Sequence, residues 1–192
     1  MHHIHHSEAF VLGSRPKGED SKILILYTRE LGLIYAHAQG IRKISSKLRF
    51  VLQDFARVQV DLVRGKEIWR LTTASPIASH KEISRSPKAE RIVAHIASLL
   101  IRLVTGEEAN EEVFRAITRA YDLLASSNDT TDYRVIELLS VARILVALGY
   151  ISRDVLGVEE EGTHEAPKAF ADIAYQHRLI RDINQALSAS QL

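Results

Sequence analysis

Cysteine is absent from the 192 residues. That excludes disulfides, thiolate zinc sites and a cysteine nucleophile, and it fits a reducing compartment. Long apolar runs are missing too. The longest, Ile23–Tyr27, is about five residues, against the roughly 20 that cross a bilayer. The start, MHHIHHSEAF, has no apolar signal core, so the expectation is a soluble intracellular protein with no membrane contact. Enzyme signatures are lacking as well. GSRPKGEDS has no G-K-[ST] ending, no G-x-S-x-G or H-E-x-x-H occurs, and Asp20, Asp54 and Asp61 stand singly. No enzymatic activity, cofactor or metal is expected. His2, His3, His5 and His6 are read as a flexible terminus without a specific metal, because a free end fixes ligand geometry poorly. His95 and His177 sit near apolar helical faces and are read as packed or boundary residues.

The most informative absence is local. From Leu31 through Gln53 there is no Asp or Glu, yet GIRKISSKLRF (40–50) holds Arg42, Lys43, Lys47 and Arg49. The whole chain is almost neutral, with 25 basic and 24 acidic residues. Residues 1–80 carry 12 basic against 7 acidic side chains, a balance of +5, and residues 81–192 carry 13 against 17, a balance of −4. Such asymmetry points to two regions with different partners, the first drawn to polyanions.

Hydrophobic periodicity divides the chain at the same place. Val58, Val60 and Leu62 alternate with Arg57, Gln59 and Asp61, the pattern of a half-buried strand. Five such runs, near 8–14, 22–28, 33–40, 55–63 and 67–75, are separated by breaks rich in Gly, Pro and Ser. Arg64-Gly65-Lys66 joins the last two, with Gly65 available for positive φ. Five short strands without crossover helices predict a small antiparallel barrel, an OB-fold, over 1–79. A short helix is expected in 41–54.

After Ser79 the period becomes 3.6 and predicts a helical domain over 80–192. Ser86-Pro87 opens a helix striped by Ile92, Ile96, Leu99, Leu100, Leu103 and Val104 and closed by Gly106. Asn110 opens a second, striped by Val113, Ile117, Ala120, Tyr121 and Leu124. A third runs from about Asp132 to Leu148, ending at Gly149. An acidic loop, 151–166, precedes a last helix near 167–188, striped by Phe170, Ile173, His177, Ile180 and Leu187. The fold class is α+β, a five-stranded OB-fold barrel followed by an α-helical bundle.

Arg42, Lys43, Lys47 and Arg49 are the leading nucleic-acid contacts, Arg offering fork-shaped donors and Lys a point charge. Arg29, Arg57, Arg64, Lys66 and Arg70 extend the cationic surface, Arg57 and Arg70 on positions that alternate outward. Phe50 and Trp69 are candidate base-stacking residues, and Tyr27 and Tyr35 weaker ones. Burial is the simpler expectation for Trp69, which shares a face with Leu71. Aromatics make up only 6% of the chain, so phosphate contacts are expected to dominate. Charge alone fits an RNA-binding OB-fold protein equally well, and a non-enzymatic interaction scaffold whose basic loop meets an acidic protein is the other alternative.

The ordered blocks F-V-L-x-S-R-P-x-G-E (10–19), Y-T-R-E-L-G (27–32), A-Q-G-I-R (38–42), S-K-L (46–48) and L-Q-D-F (52–55) resemble the start of RecO, a bacterial recombination mediator family. L-G-Y (148–150) agrees more loosely. The resemblance implies an N-terminal OB-fold, a helical domain and no catalysis. It implies binding of single- and double-stranded DNA, strand annealing, and partnership with RecR. It also implies binding to the C-terminal tail of the single-stranded-DNA-binding protein and, indirectly, work with RecA, in the cytoplasm at the nucleoid. By position it adds Arg15 and Arg29 as DNA-binding candidates. Many relatives carry a cysteine zinc module after L-G-Y. Here ISRDVLGVEEEGTHEAP follows without cysteine, so zinc binding is not carried over.

Overall fold

The computed structural model describes residues 3–77, 83, 86–127, 132–156 and 172–189. The acidic stretch from Gly157, together with Phe170, lies outside them. The chain divides into two compact units: residues 1–85 with 97–111, and residues 86–96 with 112–192.

The first unit is built on five strands: β1 (Ile4–Lys17), β2 (Ser21–Thr28), β3 (Gly32–Ala38), β4 (Arg57–Arg64) and β5 (Trp69–Pro76). They close into a barrel in the order β1-β2-β3-β5-β4, the OB-fold arrangement. One pairing departs from the all-antiparallel expectation. β3 and β5 run parallel through Ala36↔Trp69 and His37↔Arg70, because the segment between β3 and β4 carries the chain to the far side of the barrel. That segment holds the short helix α1 (Leu48–Val51).

The barrel interior collects Ala9, Val11, Leu24, Leu26, Ile34, Ala36, Val58, Val60, Leu62, Trp69 and Leu71. Two bulges decide which residues enter it. The pairing shifts between Val11 and Gly13 on β1 and between Asp61 and Leu62 against β5, where Thr72 is the unpaired residue. Each bulge reverses the inward and outward parity of its strand. That is why Thr72 and Thr73 are both exposed, and why Arg15 does not follow Ala9 and Val11 inward. The β1 bulge is clamped by Val11 N–H to Ala56 O at 2.9 Å and Phe55 N–H to Val11 O at 2.7 Å. Phe55 adopts φ 69° in the process, a conformation that bulky residues rarely take.

The N-terminus also departs from expectation. Instead of being a flexible end, residues Ile4–Phe10 pair with Arg57–Val63 of β4. His5 lies edge-on to Trp69, with ring centroids 5.0 Å apart, and His6 Nδ1 lies 2.6 Å from Asp61 Oδ1. Among the described residues no three potential ligands converge as a metal site.

Gly65 is not at positive φ. Its requirement is close approach, since a Cβ there would stand 2.3 Å from Ile68 O.

The helices are α2 (Pro87–Leu103), α3 (Glu111–Ala125), α4 (Tyr133–Ala147), a 3-10 turn (Arg153–Leu156) and α5 (Ile173–Ala189). The stripes expected on α2 and α3 are buried apart from the half-buried Val104 at the end of α2. Asp132 caps α4 by accepting from Arg134 N–H and Val135 N–H. Gly149 ends it, its N–H donating to Val146 O while Tyr150 N–H donates to Leu145 O, the Schellman arrangement. α4 is buried from Leu138 to Leu145, as a helix apolar on all sides requires.

The last helix faces inward along Gln176, Leu179 and Ile183. Ile173 and His177 are exposed, and Ile180 and Leu187 only half-buried. The predicted stripe was one position off, because the polar Gln176 masks the true face. His95 is exposed and pairs with Glu137 at 2.7 Å, so it is not a packed residue. No helix among the described residues is long and apolar enough to cross a membrane.

Of the described glycines, Gly32 is the one whose added Cβ would come nearest another atom. It adopts φ 66°, and an added Cβ would stand 2.1 Å from Glu108 O. The backbone conformation alone would cost a side-chain-bearing residue about 1–3 kcal/mol, and the opposing atom is a carbonyl that cannot rotate away. Gly32→Ala is expected to lower the thermal midpoint by several degrees or more, read by circular dichroism. An unchanged midpoint would show that this approach is not tight in solution.

Candidate nucleic-acid interface

The β1 bulge creates a row of side chains across the outside of the barrel. Arg15 pairs with Ile23, Ile23 with His37, and His37 with Arg70. Directly opposed residues share a sheet face, and Leu24, Ala36 and Trp69, their chain neighbours, occupy the interior. The row Arg15–Ile23–His37–Arg70 therefore lies outside, across four strands. An open groove of about 510 Å³ runs beside it, lined by Arg15, Pro16, Lys17, Ile23, Tyr35, Glu67 and Ile68. Its walls are the β1–β2 turn and the β4–β5 turn, where Lys66 is exposed. Tyr35, on the same face as His37 and partly exposed, supplies an aromatic surface.

His37 reports the charge of this region. Its pKa is held below the ordinary histidine value by burial first, then by the nearby Lys17 and Arg70. It is neutral at pH 7, with two cations beside it.

The loop 40–50 adjoins the same β1–β2 turn. Arg42 N–H donates to Asp20 O at 2.9 Å, and Arg42 Nη1 donates to Gly18 O at 3.1 Å. Lys43 Nζ lies 3.7 Å from Asp20 Oδ2, with both side chains more than half exposed. The loop's charge is thus not wholly bare. Its one carboxylate comes from the β1–β2 turn and not from its own sequence neighbourhood. Such an exposed pair contributes about 0–1 kcal/mol and exchanges readily for another anion. Lys47 and Arg49 are exposed, and Arg49 lies over the Phe50 ring at 4.4 Å. The loop is pinned at its ends by Ile41 and Leu52, both in the barrel core, with Leu48 and Val51 packed against it.

The other cations divide differently. Arg29 pairs with Glu8 and Glu111, each at 2.9 Å. Arg57 pairs with the same Glu8 and is mostly buried. Arg64 pairs with Glu107 and lies over the Trp69 ring at 4.9 Å. These three are tied into the fold. Trp69 is 4% exposed, so its ring offers no open face. Arg15, Lys66 and Arg70 remain exposed. Lys17, Tyr35 and His37 complete the surface. Lys17 is turned outward by a backbone event, the β1 bulge, and His37 is brought beside Arg70 by the parallel pairing of β3 with β5.

The fold defines an OB-fold protein with an appended helical unit, and exposed cations of the barrel meet around its β1–β2 turn. Residues 1–80 match the family described as "Recombination protein O N terminal". Over 147 residues the chain is 31% identical to the DNA repair protein RecO of Pelotomaculum thermopropionicum, covering 77% of this chain and 56% of that protein. It is 29% identical over 175 residues to the RecO of Rubrobacter xylanophilus, covering 86% and 68%. Against the RecO of Heliobacterium modesticaldum it is 30% identical over 151 residues, covering 77% and 52%. The first 80 residues are thus similar to the N-terminal domain of RecO proteins, and the similarity runs on into the helices. The chain spans about half the length of most of these relatives.

A phosphate bound beside Lys17 and Arg70 would offset their repulsion and raise the His37 pKa. Burial still holds the group below its ordinary value, so binding would take up a proton, and affinity should rise, as pH falls below about 6.5. Anisotropy titrations of an oligonucleotide between about pH 8 and pH 5 should show tighter binding at the acid end. His37→Gln should flatten that slope while leaving binding at the alkaline end unchanged. An identical slope in the variant would remove His37 from the surface.

Proposed function

We propose that this chain is a non-enzymatic DNA-binding protein of recombinational repair. It binds single- and double-stranded DNA, anneals complementary single strands, and helps load recombinase onto strands covered by single-stranded-DNA-binding protein. The observation that carries this reading is the meeting of two cationic surfaces at the β1–β2 turn of a barrel that matches the RecO N-terminal family. One surface is the pinned loop with Arg42, Lys43, Lys47 and Arg49. The other is the groove with Arg15, Lys17 and Arg70. Contacts of this kind read phosphate and not sequence, so binding is only weakly sequence-dependent. Neutralising phosphates on two strands at once lowers their mutual repulsion, which favours annealing. The helical unit, RecR, RecA and the acidic tail of the single-stranded-DNA-binding protein enter this proposal through the family. The names of the relatives support it.

If four to six phosphates are engaged, log K should fall with log salt at a slope of roughly −3 to −4 on single strands. Replacing Arg42, Lys43, Lys47 and Arg49 together with Ala should weaken binding more than about tenfold at low salt and flatten that slope. The deciding assay is annealing of complementary oligomers coated with cognate single-stranded-DNA-binding protein. Acceleration by the chain is expected. No acceleration, or stronger binding to matched RNA than to DNA, would overturn the reading in favour of plain charge or RNA recognition.

A further inference from the structure

The cationic loop carries two apolar side chains that the fold does not use. Ile44 is 88% exposed and Phe50 65% exposed. Ile44 occupies the first corner of a turn closed by Ser46 N–H to Lys43 O at 3.0 Å. Turn corners favour proline or small polar residues, and a β-branched side chain has no conformational reason to be there. Phe50 lies on α1, whose Leu48 and Val51 pack toward the core and leave it on the outer side. Arg49 covers one face of its ring at 4.4 Å. The rest of the ring is open, in the arrangement that base–aromatic and base–guanidinium stacking uses.

Four cations surround these two side chains in sequence: Arg42 and Lys43 before Ile44, Lys47 and Arg49 before Phe50. An occupant must therefore be anionic along its length and offer flat apolar surfaces between the charges. A single-stranded nucleic acid does both. A duplex offers the same phosphates, but its base faces are stacked against one another.

We propose that Ile44 and Phe50 form a base-contacting element that makes this loop prefer unpaired strands to duplex, Phe50 by stacking and Ile44 by packing against an adjacent base. This rests on the nucleic-acid reading of the barrel. It separates two properties within one loop: the cations set affinity for any strand, and the two apolar side chains set the preference.

The test measures binding of wild type, Ile44→Ser, Phe50→Ala and Phe50→Trp to an oligothymidylate single strand and to a blunt duplex of equal length, across salt. Vesicles of phosphatidylserine and phosphatidylcholine form a third arm. All three substitutions are at exposed positions, and circular dichroism confirms that each variant is folded. Phe50→Ala is expected to lose about fivefold or more on the single strand, with little change on duplex and an unchanged salt slope. Ile44→Ser should lose less in the same direction, and Phe50→Trp should retain wild-type affinity. Equal losses on both ligands, or no loss on either, overturn the inference while leaving the nucleic-acid reading standing. Binding by wild type to neither strand overturns both. Vesicle binding that disappears in Phe50→Ala, with single-strand binding unaffected, would reassign the element to an anionic lipid surface.

Discussion

The surface of the barrel depends on a backbone constraint at one point, the bulge between Val11 and Gly13. A strand of 14 residues pairs with β4 along its first half and with β2 along its second, so it must bend around the closing barrel. In a regular strand the odd-numbered residues that place Ala9 and Val11 in the core would also drive Arg15 and Lys17 inward. Burying either guanidinium or ammonium without a partner costs several kcal/mol. The bulge resolves the conflict by switching parity once. Its clamp holds Phe55 in a disfavoured conformation, and the two backbone hydrogen bonds to Val11 keep it there. Local strain next to a surface that must be aimed is a common coincidence in bulged sheets.

Charge partition is the second organising feature. A nearly neutral chain can present a positive surface only if its carboxylates are committed elsewhere. Glu8 alone engages Arg29 and Arg57, while Glu111 and Glu107 take Arg29 and Arg64. Glu8 is 15% exposed and Arg57 is 17% exposed, so leaving either unpaired would be costly and neither exchanges readily for an outside anion. Around the β1–β2 turn the partners are sparse and solvent-screened. Asp20 is shared at long range with Lys43, and Glu67 is the single acidic residue lining the groove. The same residue types thus serve as fixed structural charges on one side and as exchangeable ones on the other, and burial makes the difference.

Much of this was legible in the sequence because it rests on short-range pattern. Alternation in Val58–Leu62 located β4, the 3.6 period located α2 and α3, and Ile41 and Leu52 flank a segment too polar to be a strand. What was hidden depends on distant partners. The histidines at the start look like a polar end until β4 is available to pair with them. Arg29, Arg57 and Arg64 look as free as Arg15 and Arg70, since Glu8, Glu107 and Glu111 lie far away along the chain. His37 stands alone in sequence, and only the parallel pairing of β3 with β5 brings it to Arg70. On α5 the misplaced stripe has a similar origin: Gln176 is polar by type and buried by position.

The pinned geometry of loop 40–50 bears on how such a surface would work. Long basic loops are often mobile, and ordering them on binding costs about 1–2 kcal/mol per residue in backbone entropy. Here Ile41 and Leu52 are anchored in the barrel core and α1 is packed through Leu48 and Val51. Consecutive turns are closed by Lys43 N–H to Gly40 O and Ser46 N–H to Lys43 O. The ordering cost of this segment is therefore met by folding, before any ligand arrives. On that backbone the side chains of Lys43, Lys47 and Arg49 stand exposed, and Arg42 is tied to Gly18 O. A fixed backbone with exposed cations suits an irregular polyanion: it sets where phosphates lie on average without demanding one strand conformation.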